Sequence, residues 1–206
     1  MGYDNTAGHW GAVAKSLHWA IALLVFGQVA LGFYAHEQKE VMLAAFDFSE
    51  ARIADVQAIF HLHKSIGIVI GFLVIARIIW RVTHYVPPLS GELPRVMQAL
   101  AYATHWALYA LLLILAGSGF FIAGASPFGI DFFYLIHIPH LFDVSDDIRD
   151  GAEMAHMIAV WGLIGLISLH IAAAAFHHFA LKDDTMVKMW PAFLGGRGGP
   201  MRPSSD

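Results

Sequence analysis

The hydrophobic residues of the chain are gathered into four long stretches, which polar and charged segments separate. Arg77 is the only Asp, Glu, Lys or Arg inside these stretches. A helix needs about 20 residues to cross the hydrocarbon core of a bilayer, and only helices and closed barrels satisfy their backbone there. The pattern therefore predicts an all-α integral membrane protein, a bundle of four transmembrane helices. The stretches are Ser16–His36, Ser65–Trp80, Val96–Ile130 and Met154–Leu181.

Two of the stretches differ from the ideal length. The second is short and spans a bilayer only if its flanking residues His61, Lys64 and Arg81 lie at the interfaces. The third is longer than a span requires. We expect its glycine-rich end, from Gly117 to Gly129, to leave the membrane as a loop.

The remaining segments predict a simple domain organisation. Residues 1–191 are expected to form one transmembrane domain, and the Gly- and Pro-rich residues 192–206 a flexible tail. Two acidic loops, Glu37–Asp55 and 126–153, are expected on the outer side and have room for short surface helices.

The composition supports a membrane protein. Of the 206 residues, 58% are hydrophobic and 14% charged, whereas soluble domains carry about a quarter charged residues. Acidic residues outnumber basic ones by 16 to 12, so we expect no nucleic-acid partner. The absence of cysteine excludes thiolate metal sites and the covalent attachment of a c-type haem. The chain nevertheless has 13 histidines, more than its lysines and arginines together.

The distribution of Lys and Arg predicts the orientation, because basic residues are enriched on the cytoplasmic side. The side that carries both termini would hold eight of them, and the other side four among many acids. Both termini are therefore expected in the cytoplasm. The eight are Lys15, Arg77, Arg81, Arg95, Lys182, Lys188, Arg197 and Arg202, and the four are Lys39, Arg52, Lys64 and Arg149.

Histidine carries the candidate chemistry. An ionisable side chain in lipid is costly and by default marks a functional site. A single histidine could equally be an interfacial residue or a hydrogen-bond partner between helices, but seven in four helices indicate a shared role. They are His18, His63, His105, His156, His170, His177 and His178.

The spacing of His156 and His170 indicates two cofactors. They are 14 residues apart, nearly four full turns, so they project from one helix face roughly 21 Å apart along the axis. A single zinc ion would need ligands about one turn apart. Imidazoles from opposing helices can hold haem iron, and without a Cys-containing attachment motif the haem would be of the non-covalent b type.

The topology suggests how the ligands pair. His63 at the outer start of the second helix and His156 at the outer start of the fourth lie at matching depth. His18 begins the first helix on the inner side. Its partner is either His170 or His177, which share a face of the fourth helix, and depth alone slightly favours His177.

The chain resembles the four-helix, dihaem cytochrome b561 family of bacterial inner membranes over about residues 10–191. Each motif alone is weak, but their order and spacing are quite specific. The motifs are S-L-H-W at Ser16–Trp19, H-K-S-I-G at His63–Gly67, H-W-A-L-Y at His105–Tyr109, the run Leu169–Phe179, and K-D-D-T at Lys182–Thr185.

The resemblance implies two haem b groups, with His18 paired to His170 and His63 to His156 as axial ligands. It implies a multi-pass protein of the bacterial inner membrane that oxidises superoxide at the periplasmic face and reduces ubiquinone. Bis-histidine ligation leaves no open iron position, which argues against oxygen activation. The outer loops are long compared with those of compact family members, which leaves open what meets the outer haem.

Several residues are candidates for the two substrate sites. Lys64 and Arg149 are cations near the outer ligands and are expected to steer superoxide, although ordinary interfacial charge would explain them too. His177 and His105 are candidate hydrogen-bond donors to a quinone, and Trp19 a candidate stacking face. An interfacial tryptophan is an equally good interpretation of Trp19.

Two other functions remain open at this level. A dihaem cytochrome b subunit would use the same helices to pass electrons between quinone and a partner dehydrogenase, hydrogenase or c-type cytochrome. A histidine-lined metal transporter would need no haem, but the spans lack the carboxylates that such cations usually meet. A homodimer is compatible with each of these functions.

Overall fold

The computed structural model describes residues 2–88 and 94–190. It contains four helices long and apolar enough to cross a membrane: α1 (Ala12–Ala44), α2 (Glu50–Thr83), α3 (Arg95–Gly124) and α4 (Asp146–Phe176). A π-helical turn, His177–Leu181, continues α4, and a short helix α5 (Thr185–Met189) follows. Two strands, β1 (Ile130–Phe132) and β2 (Ile136–Ile138), form an antiparallel hairpin between α3 and α4.

Local signals account for the helix ends. Ser49 caps α2, because its side chain accepts a hydrogen bond from the Arg52 N–H. Asp146 and Asp147 lie in the first turn of α4, where negative charge is favourable. Helix α2 ends at Thr83, a few residues before the Pro87–Pro88 pair that could not continue it.

The four-helix prediction is confirmed, but the first outer loop is much shorter than expected. The segment Glu37–Asp55 is largely helical, because α1 continues to Ala44 and α2 begins at Glu50. Only residues 45–49 connect the two helices. A helix that is already formed extends cheaply, one hydrogen bond per added residue, so α1 and α2 run past the apolar stretches that predicted them.

The end of the third stretch also differs from expectation. Helix α3 continues to Gly124 and includes Gly117 and Gly119, which we expected in a loop. The chain leaves the helix only after Gly124. The second outer loop contains the β-hairpin before α4 begins at Asp146. The predicted flexible tail, residues 192–206, lies outside the described residues.

Four spans return the chain to the side on which it began. We call the side that holds Ala12 and Phe176 the terminal side, and the side that holds residues 45–49 and the β-hairpin the hairpin side. Neighbouring helices pack in chain order, α1 on α2, α2 on α3 and α3 on α4. The buried core between them is formed by Ile21, Val25, Ile70, Val74, Tyr109 and Leu163.

Large apolar side chains also cover the outward faces of the bundle. Leu23 and Phe72, for example, are 70% and 71% exposed. An apolar surface of this extent is unusual on a water-soluble protein and is what a helix bundle presents to lipid.

Candidate functional site

On the terminal side, histidines from three helices lie together. The ring centroids of His18 on α1 and His170 on α4 are 6.3 Å apart. Two metal–nitrogen bonds of about 2 Å each fit between rings at this separation. His105 on α3 lies in edge contact with His170, with centroids 5.4 Å apart. Its Nδ1–H donates to the Ala101 carbonyl at 2.6 Å.

On the hairpin side, His63 on α2 and His156 on α4 lie within electrostatic range of each other. Ser118 on α3 orients His156, since its Oγ lies 2.8 Å from the His156 Nδ1. The Ser118 hydroxyl donates its only hydrogen to the Ile114 carbonyl at 2.7 Å, so it accepts from the Nδ1–H of His156. Neutral His156 therefore has its lone pair on Nε2, the form that binds a metal ion.

Two glycines make room for the hairpin-side imidazoles. A Cβ atom on Gly32 of α1 would lie 2.8 Å from Cε1 of His63, and one on Gly119 of α3 would lie 3.3 Å from Cε1 of His156. In each case the glycine belongs to the helix that precedes the histidine's own helix. These positions form a cradle that any larger side chain would fill.

Two buried polar atoms near His63 have no hydrogen-bond partner among the described residues. They are the Nδ1 of His63 itself and the Oε1 of Gln28. The Gln28 amide N–H₂ donates to the His63 carbonyl at 2.8 Å and so ties α1 to α2 at the level of this ligand. Unpaired polar atoms at this depth indicate a site that is built to hold a further group.

The helices that carry the histidine pairs are not closely packed on each other. Among the described residues, α4 makes little direct backbone contact with α1 or α2, whereas each helix packs closely on its chain neighbour. Side chains from α4 nevertheless approach His18 and His63 across these gaps. The histidine pairs thus join helices that approach each other through side chains and not through close backbone packing.

Cations lie beside the terminal-side pair. Arg77 on α2 donates to the Ala14 carbonyl at 2.7 Å and to the Tyr109 hydroxyl at 3.2 Å. The guanidinium of Arg81 lies 5.9 Å from the ring centroid of Trp10. Among the residues that the structure describes, no carboxylate forms an ion pair with either arginine. A half-buried cation without a counter-charge is costly, so this cluster suits an anionic group.

The β-hairpin is fastened to α2 at the level of His63. His61 contacts Asp131 twice, since its Nδ1 accepts from the Asp131 N–H at 3.0 Å and its Nε2 lies 3.3 Å from the carboxylate. The Ser65 hydroxyl accepts from the Phe133 N–H at 2.9 Å. Lys64 donates to the Gly129 carbonyl at 2.8 Å. Together these bonds hold the hairpin against the part of α2 that carries His63.

Gly129 and Asp131 stabilise the hairpin itself. Gly129 has φ +61°, and a Cβ atom there would lie 2.4 Å from the Ile138 carbonyl oxygen, so the turn requires glycine. His137 donates a hydrogen bond to the Asp131 carboxylate. This bond is the main reason why the pKa of Asp131 lies below its ordinary value. The carboxylate thus joins β1, β2 and α2.

The two predicted steering cations both have local partners. Lys64 is held by the hairpin, as described above, and Arg149 pairs with Asp146 one turn away on α4. The surrounding surface is acidic. Its exposed carboxylates are Asp143, Asp146, Asp147, Asp150 and Glu153.

The three predicted quinone residues lie in different surroundings. His105 is beside His170, as described above. His177 donates from Nδ1 to the Asp183 carboxylate, on the terminal side of His170. The Trp19 Nε1–H donates to the Met189 carbonyl at 2.9 Å, so this tryptophan fastens α5 to α1. Its ring also contacts His18, with centroids 5.4 Å apart.

Sequence reasoning missed several of these supporting residues. Gln28 could have been noticed as an amide in the middle of an otherwise apolar span. The roles of Gly32, Gly119, Ser118 and Asp131 have no local signal, because each acts on a histidine of another helix. Asp183 belongs to the K-D-D-T motif, which by itself assigns this residue no role.

Four apolar helices with histidines facing one another between them define a multi-pass membrane protein of the redox class. A family model with the description "Prokaryotic cytochrome b561" matches residues 9–192 of the chain. The chain belongs to this family, whose members bind b-type haem and transfer electrons in membranes. The donor set fits such a haem, since neutral imidazoles face one another across gaps between helices.

Two relatives are similar over much of their length. The chain is 31% identical to "Cytochrome b561 homolog 2" of Escherichia coli (strain K12) over 192 residues, which cover 92% of this chain and 95% of the relative. It is 31% identical to "Probable superoxide oxidase CybB" of Yersinia pestis over 134 residues, 65% of this chain and 76% of the relative.

Proposed function

We propose that the protein transfers electrons across the bacterial inner membrane from superoxide in the periplasm to ubiquinone, through two b-type haems. The observation that carries this proposal is the presence of two histidine pairs at two levels of α4. His63 with His156 would hold one haem and His18 with His170 the other. Because His156 and His170 are 14 residues apart, the two sites are separated by roughly 21 Å along the helix.

The bound haems would supply reversible one-electron chemistry at their iron. The chain's own residues would hold and tune them. Ser118 keeps the Nε2 of His156 free for a metal ion, and Gly32 and Gly119 leave room for the rings. Arg77 and Arg81 would neutralise the acid side chains of the terminal-side haem, which explains why neither cation has a carboxylate partner within residues 2–88 and 94–190.

The overall reaction balances with two superoxide anions for each quinone. Each superoxide gives up one electron and becomes dioxygen, and the quinone takes up two electrons and two protons to become a quinol. We assign the quinone to His177 on the terminal side, and Trp19, whose ring contacts His18, is the proposed stacking face. His105 suits this role less well, since its hydrogen-bond partner in the described part of the chain is a neutral carbonyl.

Superoxide as the donor is supported by the similarity to the relative named as a probable superoxide oxidase. Lys64 and Arg149 remain the proposed steering residues, although each also has a structural partner. Stopped-flow mixing of the oxidised protein with superoxide, followed by haem absorbance, tests this directly. Haem reduction faster than the spontaneous decay of superoxide is expected, and its absence would exclude superoxide as the donor.

The acidic surface favours a second candidate donor. Five exposed carboxylates between Asp143 and Glu153 would attract a cationic redox protein such as a c-type cytochrome. In that case the haems would be reduced by the reduced cytochrome, and the rate would fall steeply with ionic strength. The same stopped-flow experiment with a reduced cationic cytochrome in place of superoxide distinguishes the two donors.

A further inference from the structure

The turn that follows α4 holds a histidine and a carboxylate together. We propose that Asp183 is a positioning residue that orients His177 as the proton donor to quinone; this inference rests on the proposed reduction of quinone. The Asp183 carboxylate accepts from the Nδ1–H of His177. Both side chains are largely shielded, each with 16% of its surface exposed.

The backbone is shaped to bring the two residues together. The π-helical turn His177–Leu181 widens the end of α4, and Lys182 adopts a left-handed conformation with φ 53°. This conformation is uncommon for a residue other than glycine. It turns the chain back, so that the Asp183 N–H donates to the His177 carbonyl at 3.2 Å. π-Helical turns are frequent at functional sites.

The carboxylate itself is held on both oxygens. One accepts from His177 and the other from the Thr185 N–H at 2.9 Å. Burial acts to raise the pKa of Asp183, but these hydrogen bonds outweigh it and the pKa lies below the ordinary value. Asp183 is therefore an ionised group of fixed orientation, fastened to both α4 and α5.

The chemical consequence follows from comparing His177 with His105. Each histidine donates its Nδ1–H, one to a carboxylate and the other to the neutral carbonyl of Ala101. A carboxylate compensates the positive charge of an imidazole that carries both protons, and a carbonyl does so less well. His177 is thus the histidine suited to present an Nε2–H to a quinone oxygen and to release that proton.

The proposed step balances in atoms and charge. The quinone receives two electrons through the proposed transfer chain. One N–H bond of the doubly protonated His177 breaks at Nε2 and an O–H bond forms on the quinone oxygen, while Asp183 keeps the Nδ1–H in place. Water on the terminal side returns the proton to His177 and supplies the second proton of the quinol.

The experiment compares two oxidants of the haem-loaded, anaerobically reduced protein in detergent. One is a short-chain ubiquinone, which must take up protons, and the other is ferricyanide, which takes up only electrons. For Asp183→Asn we expect oxidation by the quinone to slow about a hundredfold, the usual scale of general acid catalysis. Oxidation by ferricyanide and the haem spectrum should stay at wild-type values.

Three further variants complete the test. Asp183→Glu should recover part of the quinone rate, because it restores the charge. Asp184→Asn is the matched control, since Asp184 is adjacent, exposed and paired with Lys188 at 3.3 Å, and it should behave as wild type. His177→Gln keeps a donor for Asp183 but carries no transferable proton. It should reproduce the Asp183→Asn pattern, which provides a second test should Asp183→Asn lose haem.

The outcomes separate this inference from the proposed function. A wild-type protein that ferricyanide oxidises and the quinone does not would overturn the proposed reduction of quinone. If the quinone oxidises the wild-type protein, and oxidises Asp183→Asn and His177→Gln at the same rate, the role of Asp183 alone would be overturned. If Asp183→Asn slows oxidation by the quinone and oxidation by ferricyanide equally, Asp183 only maintains the structure, which also contradicts the proposal.

Discussion

At the scale of single residues, the partner of each Nδ1 determines what the other ring nitrogen can do. Ser118 accepts from the Nδ1–H of His156 and leaves its Nε2 lone pair free for a metal ion. Asp183 accepts from the Nδ1–H of His177 and fixes the orientation of its ring instead. Identical side chains on one helix thus acquire different chemistry from a single hydrogen-bond partner.

Removal of one ligand should remove one haem. For His156→Ala we expect the loss of the hairpin-side haem with retention of the other, because the proposed assignment gives each haem its own pair of ligands. His63→Ala should give the same spectrum. His170→Ala should remove the terminal-side haem. The measurement is the ratio of haem to protein chain together with the reduced-minus-oxidised spectrum. Loss of both haems from a folded variant would contradict the assignment of separate pairs.

At the scale of secondary-structure elements, close approach between helices depends on residues without side chains. Gly32 and Gly119 let α1 and α3 pass beside the imidazoles of the following helices. Larger residues at these positions would displace the rings, since protein interiors have little free volume to absorb an added group.

A single methyl group at position 32 should therefore disturb the hairpin-side haem. In Gly32→Ala the new Cβ would lie 2.8 Å from Cε1 of His63, and the ring must shift. We expect a reduced occupancy of this haem with the terminal-side haem unchanged, measured from the haem-to-chain ratio. Gly27→Ala is the matched control on the same helix, because a Cβ there meets nothing within 4 Å. Equal haem loss in both variants would contradict this explanation.

The β-hairpin should respond to acid through Asp131. The groups that face its carboxylate are His137 on β2 and His61 and Lys64 on α2. The pKa of Asp131 is lower in the folded protein than in the unfolded chain, where it is about 3.9. Asp131 therefore stabilises the hairpin fully at pH values above this unfolded pKa. This stabilisation is lost as pH falls through the folded value.

Hydrogen exchange of the hairpin amides as a function of pH tests this expectation. The Asp131 and Phe133 N–H groups, which donate to His61 and Ser65, should be protected at neutral pH and lose protection in acid. Asp131→Asn should lower the protection at neutral pH by a modest factor and flatten the pH dependence. Unchanged protection in this variant would show that packing alone holds the hairpin.

At the scale of the whole molecule, four spans place both ends of the described chain on one side of the membrane. The basic residues predict that this is the cytoplasmic side. The chain has no cysteine, so a single introduced cysteine provides a unique label for either side.

Cysteine labelling should locate the two sides. In intact cells, Ala45→Cys in the loop between α1 and α2 should react with a membrane-impermeant maleimide added from outside. Gly8→Cys, before α1, should react only after the membrane is opened, because we expect the N-terminus in the cytoplasm. Both positions are exposed. The reverse pattern would invert the orientation and would place the proposed quinone site on the periplasmic side.

The sequence by itself determined the four spans and the positions of the histidines along them. Apolar stretches of about 20 residues cross a bilayer as helices, because a helix satisfies its own backbone hydrogen bonds there. The helical repeat then sets the roughly 21 Å between His156 and His170. The absence of cysteine excluded covalent haem attachment without any structure.

Only the tertiary structure decided which of two histidines on one face of α4 lies beside His18. His170 and His177 are seven residues apart, two turns, so the helical repeat cannot distinguish them. The choice depends on how α1 lies against α4, which brings His18 to His170 and leaves His177 to Asp183. The bond from Lys64 to Gly129 likewise joins residues 65 positions apart. Such contacts arise from the packing of whole helices, and no local pattern in the chain encodes them.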